Sequence, residues 1–374
     1  MTRYPDHPFR SGFGILSLSH RPHGMNKRKI TLISTVILAA VLLTACSSGL
    51  SGSSWPGITT NGDTFYVANM AHVYAIRATD GSQVWRFPEK PSRTMYFAAP
   101  VLVDNQLIVG DYQKILHSLN PDTGSENWTF VANGPWIASP LVIDSSIYAP
   151  NGDGNLYALD LSGNLLWKFA AEKALWSRPV GNGDTIYQAS MDHSIYALDT
   201  ATGSVKWSKN LGGAVIYSPT LSDDGMLYVA TMARELIALN TDNGEILWQR
   251  KFEESLWSQP ALHEDTLFFG DLGGKAYGIN RLNGEDIWAQ TLTDPVTGKP
   301  TVTEDSVVFA TENGTLAALS FTGERIWTET VTGKLYNGPV QFDDKLLVGV
   351  ALGESPLVLK TNSGQNIWSF IPPK

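Results

Sequence analysis

The sequence predicts an all-β fold: one eight-bladed β-propeller over residues 55–374, with four short antiparallel strands per blade. Three observations carry this expectation. A Gly-x-x-x-Trp pattern recurs eight times, its Trp residues 39 to 43 positions apart. Alternating apolar runs such as "TIYQAS" and "MLYVAT" recur with the same period. That period holds four ordinary strands with their turns and leaves no room for a helix.

Residues 1–24 contain "RYPDHPFRSG" and "SHRPHG", polar and rich in Pro and His. They are expected to be either an extended n-region or a start assigned upstream of Met25. Residues 25–45 read as a signal peptide: the basic "NKRK" at Asn26–Lys29 precedes sixteen apolar or small residues, Ile30 to Ala45. Sixteen is short for a membrane span and ordinary for a secretion signal. The run ends at Leu43-Thr44-Ala45-Cys46, and Cys46 is the sole cysteine of the chain. These four residues resemble the lipobox of bacterial lipoproteins, which implies cleavage before Cys46 and lipidation on it. An uncleaved anchor is the alternative, and both place the rest of the chain outside the cytoplasm. Residues 46–54 begin with "CSSGLSGSS", a flexible tether. Ser47 after the lipidated position implies export to the outer membrane where there are two membranes, and the outer face of the plasma membrane where there is one.

The eight blades follow. Their Trp residues are Trp85, Trp128, Trp167, Trp207, Trp248, Trp288, Trp327 and Trp368. Four residues before each stands a Gly, itself preceded by Asp, Asn, Ser or Thr, as in a tight hairpin turn. Five or six residues before that Gly sits a small residue, Ala75 through Ala318, and the last copy departs with Val358. Seven copies carry a Pro that opens a further short strand, from Pro100 to Pro339. One blade cannot bury both faces alone, so neighbours must stack and the ring must close. Two four-bladed rings are the alternative, although no linker interrupts the period.

The segment "IYALDTATGSVKW", Ile195 to Trp207, resembles the tryptophan-docking repeat of the quinoprotein (PQQ-type) β-propellers. The resemblance covers the whole mature chain. It implies that each of the eight Trp residues packs between its own blade and the next, as a structural joint.

Composition narrows the function. The net charge is −9, and the six Lys/Arg and one Asp of residues 1–45 leave 21 basic against 35 acidic side chains beyond them, net −14. An acidic surface repels phosphate backbones, so nucleic acid is not an expected partner. Quinoproteins on this fold hold pyrroloquinoline quinone over calcium, often beside a disulfide between adjacent cysteines. One cysteine cannot form that disulfide. Calcium needs six to eight converging oxygens, and the clusters "NGDGN" at Asn151 and "SDDG" at Ser222 read as ordinary turns. His72, His117, His193 and His263 fall in different blades, with His72 and His193 at equivalent positions read as surface. No catalytic residues, metal site, quinone or calcium are expected.

Lipobox and repeat together resemble the propeller lipoproteins of outer-membrane β-barrel assembly. That resemblance implies a monomeric, non-catalytic scaffold, held to the membrane by its lipid, whose protein partner is a membrane-embedded barrel insertase. An extracytoplasmic ligand-binding or sensor propeller is the alternative, with a PQQ-dependent dehydrogenase ranked below it. The expected partner face lies where the chain enters each blade. There an aromatic precedes the Pro: Tyr96, Trp136, Trp176, Tyr217, Trp257 and Tyr336, with "DPVTGKP" in the seventh blade instead. Asn69, Asp111, Asn151, Thr231 and Asp271 are expected to surround them. Arg178 and Lys299, each just before its Pro, are expected toward the central channel. These aromatics could instead plug the channel or pack between blades.

A palmitate label should be incorporated in cells and disappear in Cys46→Ala, with the variant released from membranes; a label that survives the substitution excludes Cys46 as the acceptor.

Overall fold

The structure is a computed structural model and describes residues 56–90 and 92–373. The expected signal, Cys46 and the tether lie outside the described residues. Those described form 32 strands in eight antiparallel sheets of four, with no helix among them. The chain is thus an eight-bladed β-propeller. Each sheet uses four consecutive strands. The first comprises Gly57–Thr60, Thr64–Asn69, His72–Arg77 and Gln83–Phe87, and the eighth Val340–Phe342, Lys345–Gly349, Leu357–Thr361 and Asn366–Phe370. No blade is therefore completed by strands from both ends of the described chain.

The core is a ring of interfaces rather than one centre. Eight apolar clusters are each shared by two successive blades, including Leu227 with Tyr187 between the fifth and fourth, so the chain does not divide into two four-bladed rings. The last cluster joins Leu347, Leu357 and Phe370 of the eighth blade to Phe65, Val67 and Ile76 of the first. The first strand of each blade lies inward beside its neighbours, while the fourth is outermost and alternates between exposed and half-buried residues.

The repeated motif explains each joint. In the first seven blades Trp pairs across the sheet with the small residue, as Ala158 with Trp167 and Ala197 with Trp207, and a β-bulge follows at once. The indole then reaches the next blade. Nε1 of Trp85, Trp128, Trp167, Trp207, Trp248, Trp288 and Trp368 donates to the carbonyls of Pro121, Leu161, Thr200, Thr241, Arg281, Phe321 and Ala78, at 2.8 to 3.2 Å. The motif's Gly does not touch its own Trp. Gly203 has φ 70° and lies against Trp167 of the preceding blade, where an added Cβ would meet the indole at 2.4 Å. Gly is required twice, for its positive φ and for this close approach.

The eighth blade departs differently from the expectation. Leu359, not Val358, stands opposite Trp368, because the turn is one residue shorter, as in the third and seventh blades. The next position is Ile or Leu in the other seven blades and Lys360 here. Lys360 is buried, and its Nζ donates to Gly364 O at 2.8 Å. Desolvation lowers its pKa.

Trp85 is 8% exposed and bonds Pro121 across a joint. Trp85→Ala should cost about 3–5 kcal/mol, read as a lower urea midpoint at unchanged m-value; a cost below about 1 kcal/mol would remove the joint's structural role.

Candidate functional site

The loops that lead into the first strands converge around the channel, and counting back from each blade's Pro sorts their residues. Four before the Pro stand Tyr96, Trp136, Leu175, Val215, Leu256, Val296 and Leu335, all 0 to 2% exposed. Three before stand Phe97, Ile137, Trp176, Ile216, Thr297, Trp257 and Tyr336. Trp176 is 41% exposed, and Trp257 and Tyr336 are half-buried.

The six sequence-predicted aromatics therefore do not form one ring. Tyr96 and Trp136 are core residues at 1% exposure. Trp136 packs on Tyr157 with ring centroids 5.7 Å apart, and Tyr96 lies 6.2 Å from the His117 ring. A shift of one residue turns a side chain from the core to the channel, and the aromatics sit two to four positions before the Pro. Tyr217, two before, spans the mouth from the fifth blade toward the eighth. Its hydroxyl donates to Tyr336 O at 3.5 Å, and desolvation raises its pKa. Trp176, Tyr217 and Trp257 line a cavity of about 710 Å³ at the ring's centre. Phe97, Ile137 and Ile216 line it too, and were missed although the count from Pro would have found them.

The expected polar surround is mostly buried. Asp111, Asn151, Thr231 and Asp271 are 0 to 2% exposed. They bracket the lead-in loops: Asn151 Nδ2 donates to Gly134 O at 2.9 Å, and Asp111 and Asp271 accept, through their main-chain carbonyls, the Trp136 and Val296 N–H groups at 3.0 Å. A buried loop must pair its backbone groups, and Asp111, Asn151 and Asp271 do so, while the buried Thr231 Oγ1 has no hydrogen-bond partner among the described residues. They are structural, leaving Asn69 as the half-buried member.

Arg178 and Lys299 both line the cavity and expose side-chain surface to it. Desolvation by the surrounding walls lowers the Arg178 pKa. Lys299 is lowered by desolvation and then by the Arg178 charge. Arg178 Nε donates to Pro140 O at 3.2 Å. Neither forms an ion pair among the described residues, and no Asp or Glu lines the cavity.

The histidines are not equivalent. The ladders set His72 level with Ser194, one past His193, because Ala75 and Ala197 correspond. His72 is also buried, at 7% exposure, and its Nδ1 donates to Pro88 O at 2.8 Å. His117 sits in an acidic network: Nδ1 is 2.7 Å from Glu126 Oε1 and Nε2 3.3 Å from Asp111 Oδ2, which also accepts from Thr94 Oγ1 at 2.6 Å. Burial alone would lower the His117 pKa, but the bonds and charges of Asp111 and Glu126 outweigh it and raise the value above 6.5. Asp111 is pushed up by desolvation and brought below its ordinary value by His117, Thr94 and the Ile115 N–H.

Among the described residues no three His, Cys, Asp or Glu converge to hold a metal. A calcium ion needs six to eight oxygens, and the central cavity presents two cations and no carboxylate. The residues there do not fit a calcium–quinone pair.

The family model described as outer membrane protein assembly factor BamB matches residues 69–175 and 152–370. The outer membrane protein assembly factor BamB of Yersinia pestis is 23% identical over 184 residues, which cover 44% of this chain and 45% of that relative. The alignment thus spans less than half the relative's length. The crystal structure of BamB from Moraxella catarrhalis superposes with TM-score 0.69 at 17% identity, over 81% of this chain and 95% of that one. A europium-containing methanol dehydrogenase superposes with TM-score 0.68 at 13% identity, over 80% and 84%. At such identities these two likenesses concern the fold.

His117 supplies a pH prediction. Its raised folded pKa makes its stabilisation complete below the unfolded value of 6.5 and lost as pH rises through the folded value. Unfolding free energy should therefore decline across neutral to mildly alkaline pH, and His117→Gln should flatten that part of the profile. An identical slope in the variant would place the titrating group elsewhere.

Proposed function

The chain belongs to the family of the outer membrane protein assembly factor BamB, and from that membership we propose that it is a non-catalytic scaffold in the assembly of outer-membrane β-barrel proteins. It acts outside the cytoplasm, held to the envelope by lipid on Cys46, as a monomeric propeller with an envelope protein partner. The observation that carries the reading is the family match across nearly the whole propeller, residues 69–370.

Site chemistry agrees with it. The network of His117, Asp111 and Glu126 contains no nucleophile placed for attack, and its bonds tie a lead-in loop to a hairpin. The channel rim offers what a binding face needs: Trp176 is exposed and Trp257 and Tyr336 are accessible beside it, with rigid strands behind them. Aromatic side chains on a preorganised frame concentrate binding energy. We place the partner on this rim, with Trp176, Trp257 and Arg178 as anchors. A ligand-binding propeller is the second reading, favoured by the central cavity.

In cells, crosslinking of the lipidated protein should recover a membrane-embedded barrel insertase, and Trp176→Ala with Trp257→Ala should reduce that recovery at least tenfold, about 1.4 kcal/mol or more. Recovery of unrelated membrane proteins with the insertase absent would sink the scaffold reading; unchanged recovery in the double variant would move the partner to another face. Incubation with pyrroloquinoline quinone and calcium should leave no quinone absorbance on the purified protein.

A further inference from the structure

The central cavity holds an electrostatic imbalance that the scaffold reading uses only through Arg178. Arg178 and Lys299 enter it from the fourth and seventh blades, each one residue before its Pro. The lining contains no carboxylate, although the chain as a whole carries nine more acidic than basic side chains. Lys299 feels the positive charge of Arg178, so the two groups share one field. Arg178 uses only Nε on the wall, donating to Pro140 O. Its remaining N–H groups and the Lys299 ammonium have no ion-pair partner among the described residues.

Two like charges facing one cavity disfavour each other, and an anion bound between them relieves that cost. Arg presents several N–H donors in a plane, which suits a carboxylate, while Lys adds a point charge. Around them stand Trp176, Trp257, Tyr217 and Ile216, apolar or aromatic surfaces that a bare oxyanion would leave unused. A pocket of about 710 Å³ is in the range of small-molecule sites.

We propose that the central cavity is a binding site for an organic carboxylate, its anionic end between Arg178 and Lys299 and its apolar body against Trp176 and Trp257. The carboxylate can come from a free small molecule or from the C-terminus of a peptide, since both present the same group. The site shares Trp176, Trp257 and Arg178 with the rim assigned to the protein partner, and adds Lys299, which that reading leaves unused.

The test is calorimetric titration of the purified full-length protein in chloride-free buffer. The probes are 4-phenylbutyrate, its neutral amide, a Gly-Gly-Leu tripeptide with free or amidated C-terminus, and inorganic phosphate. The acids should bind at least about tenfold more tightly than their amides and than phosphate. Tighter binding of the tripeptide acid identifies a chain terminus as the source, and tighter binding of phenylbutyrate a small molecule. Arg178→Gln with Lys299→Gln should remove the difference between acid and amide while the melting transition stays in place. Arg178→Lys with Lys299→Arg, which keeps both charges, should retain most of the binding and covers the case in which the double Gln variant fails to fold. Equal binding of acids and amides, no binding of any acid, tighter binding of phosphate, or an acid preference that survives in a folded double Gln variant overturns the site.

Discussion

Each blade is joined to the next by one indole. Its ring lies against the following blade's glycine, as Trp167 against Gly203, and in seven of the eight blades its Nε1 also donates to a carbonyl of that blade, as Trp207 to Thr241. The two halves of Gly-x-x-x-Trp therefore serve different interfaces. The Gly receives the preceding blade and the Trp engages the following one, so the motif is meaningful only in an array. Because the array closes, the eighth Trp, Trp368, meets Gly81 and Ala78 of the first blade. Where the indole bonds the next blade's backbone, the joint is directional as well as apolar, and a shift of one blade against the next would leave a donor unpaired.

The joints fix the blades, and the blades fix the channel. With the first strands held inward, their lead-in loops have nowhere to go but over the mouth. A crowded loop ring needs its backbone paired, which is why Asp111, Asn151 and Asp271 are buried brackets rather than surface groups. The same crowding brings the residue one before each Pro to the cavity, together with several of those two and three before it. Trp176, Tyr217 and Arg178 reach it from such positions, while Tyr96 and Trp136, one residue further back, fill the core.

Electrostatics divide the molecule in two. The chain as a whole is acidic, with a net charge of −9. Inside the ring, Arg178 and Lys299 face a space without carboxylates. The acidic network at His117 is a separate, local case: one histidine is set between two carboxylates and braces a loop, so its pH dependence is one of stability. Net charge alone would have hidden both of the latter.

The sequence by itself determined the fold class, the blade number and the identity of the joints, because a period near 40 residues and a fixed Gly–Trp spacing survive in one dimension. It also placed Arg178 and Lys299 beside a Pro, one step from the channel. Tertiary structure alone decided which Trp meets which Gly, since that contact crosses between repeats. It gave meaning to the offset from Pro, four residues for the buried Trp136 and three for the exposed Trp176, which the sequence contains but does not assign to core or channel. It decided that Leu359 faces Trp368, because turn length sets the register there. It alone brought Arg178 and Lys299 together in one cavity, because residues more than a hundred positions apart share a site when the ring holds their blades around one axis.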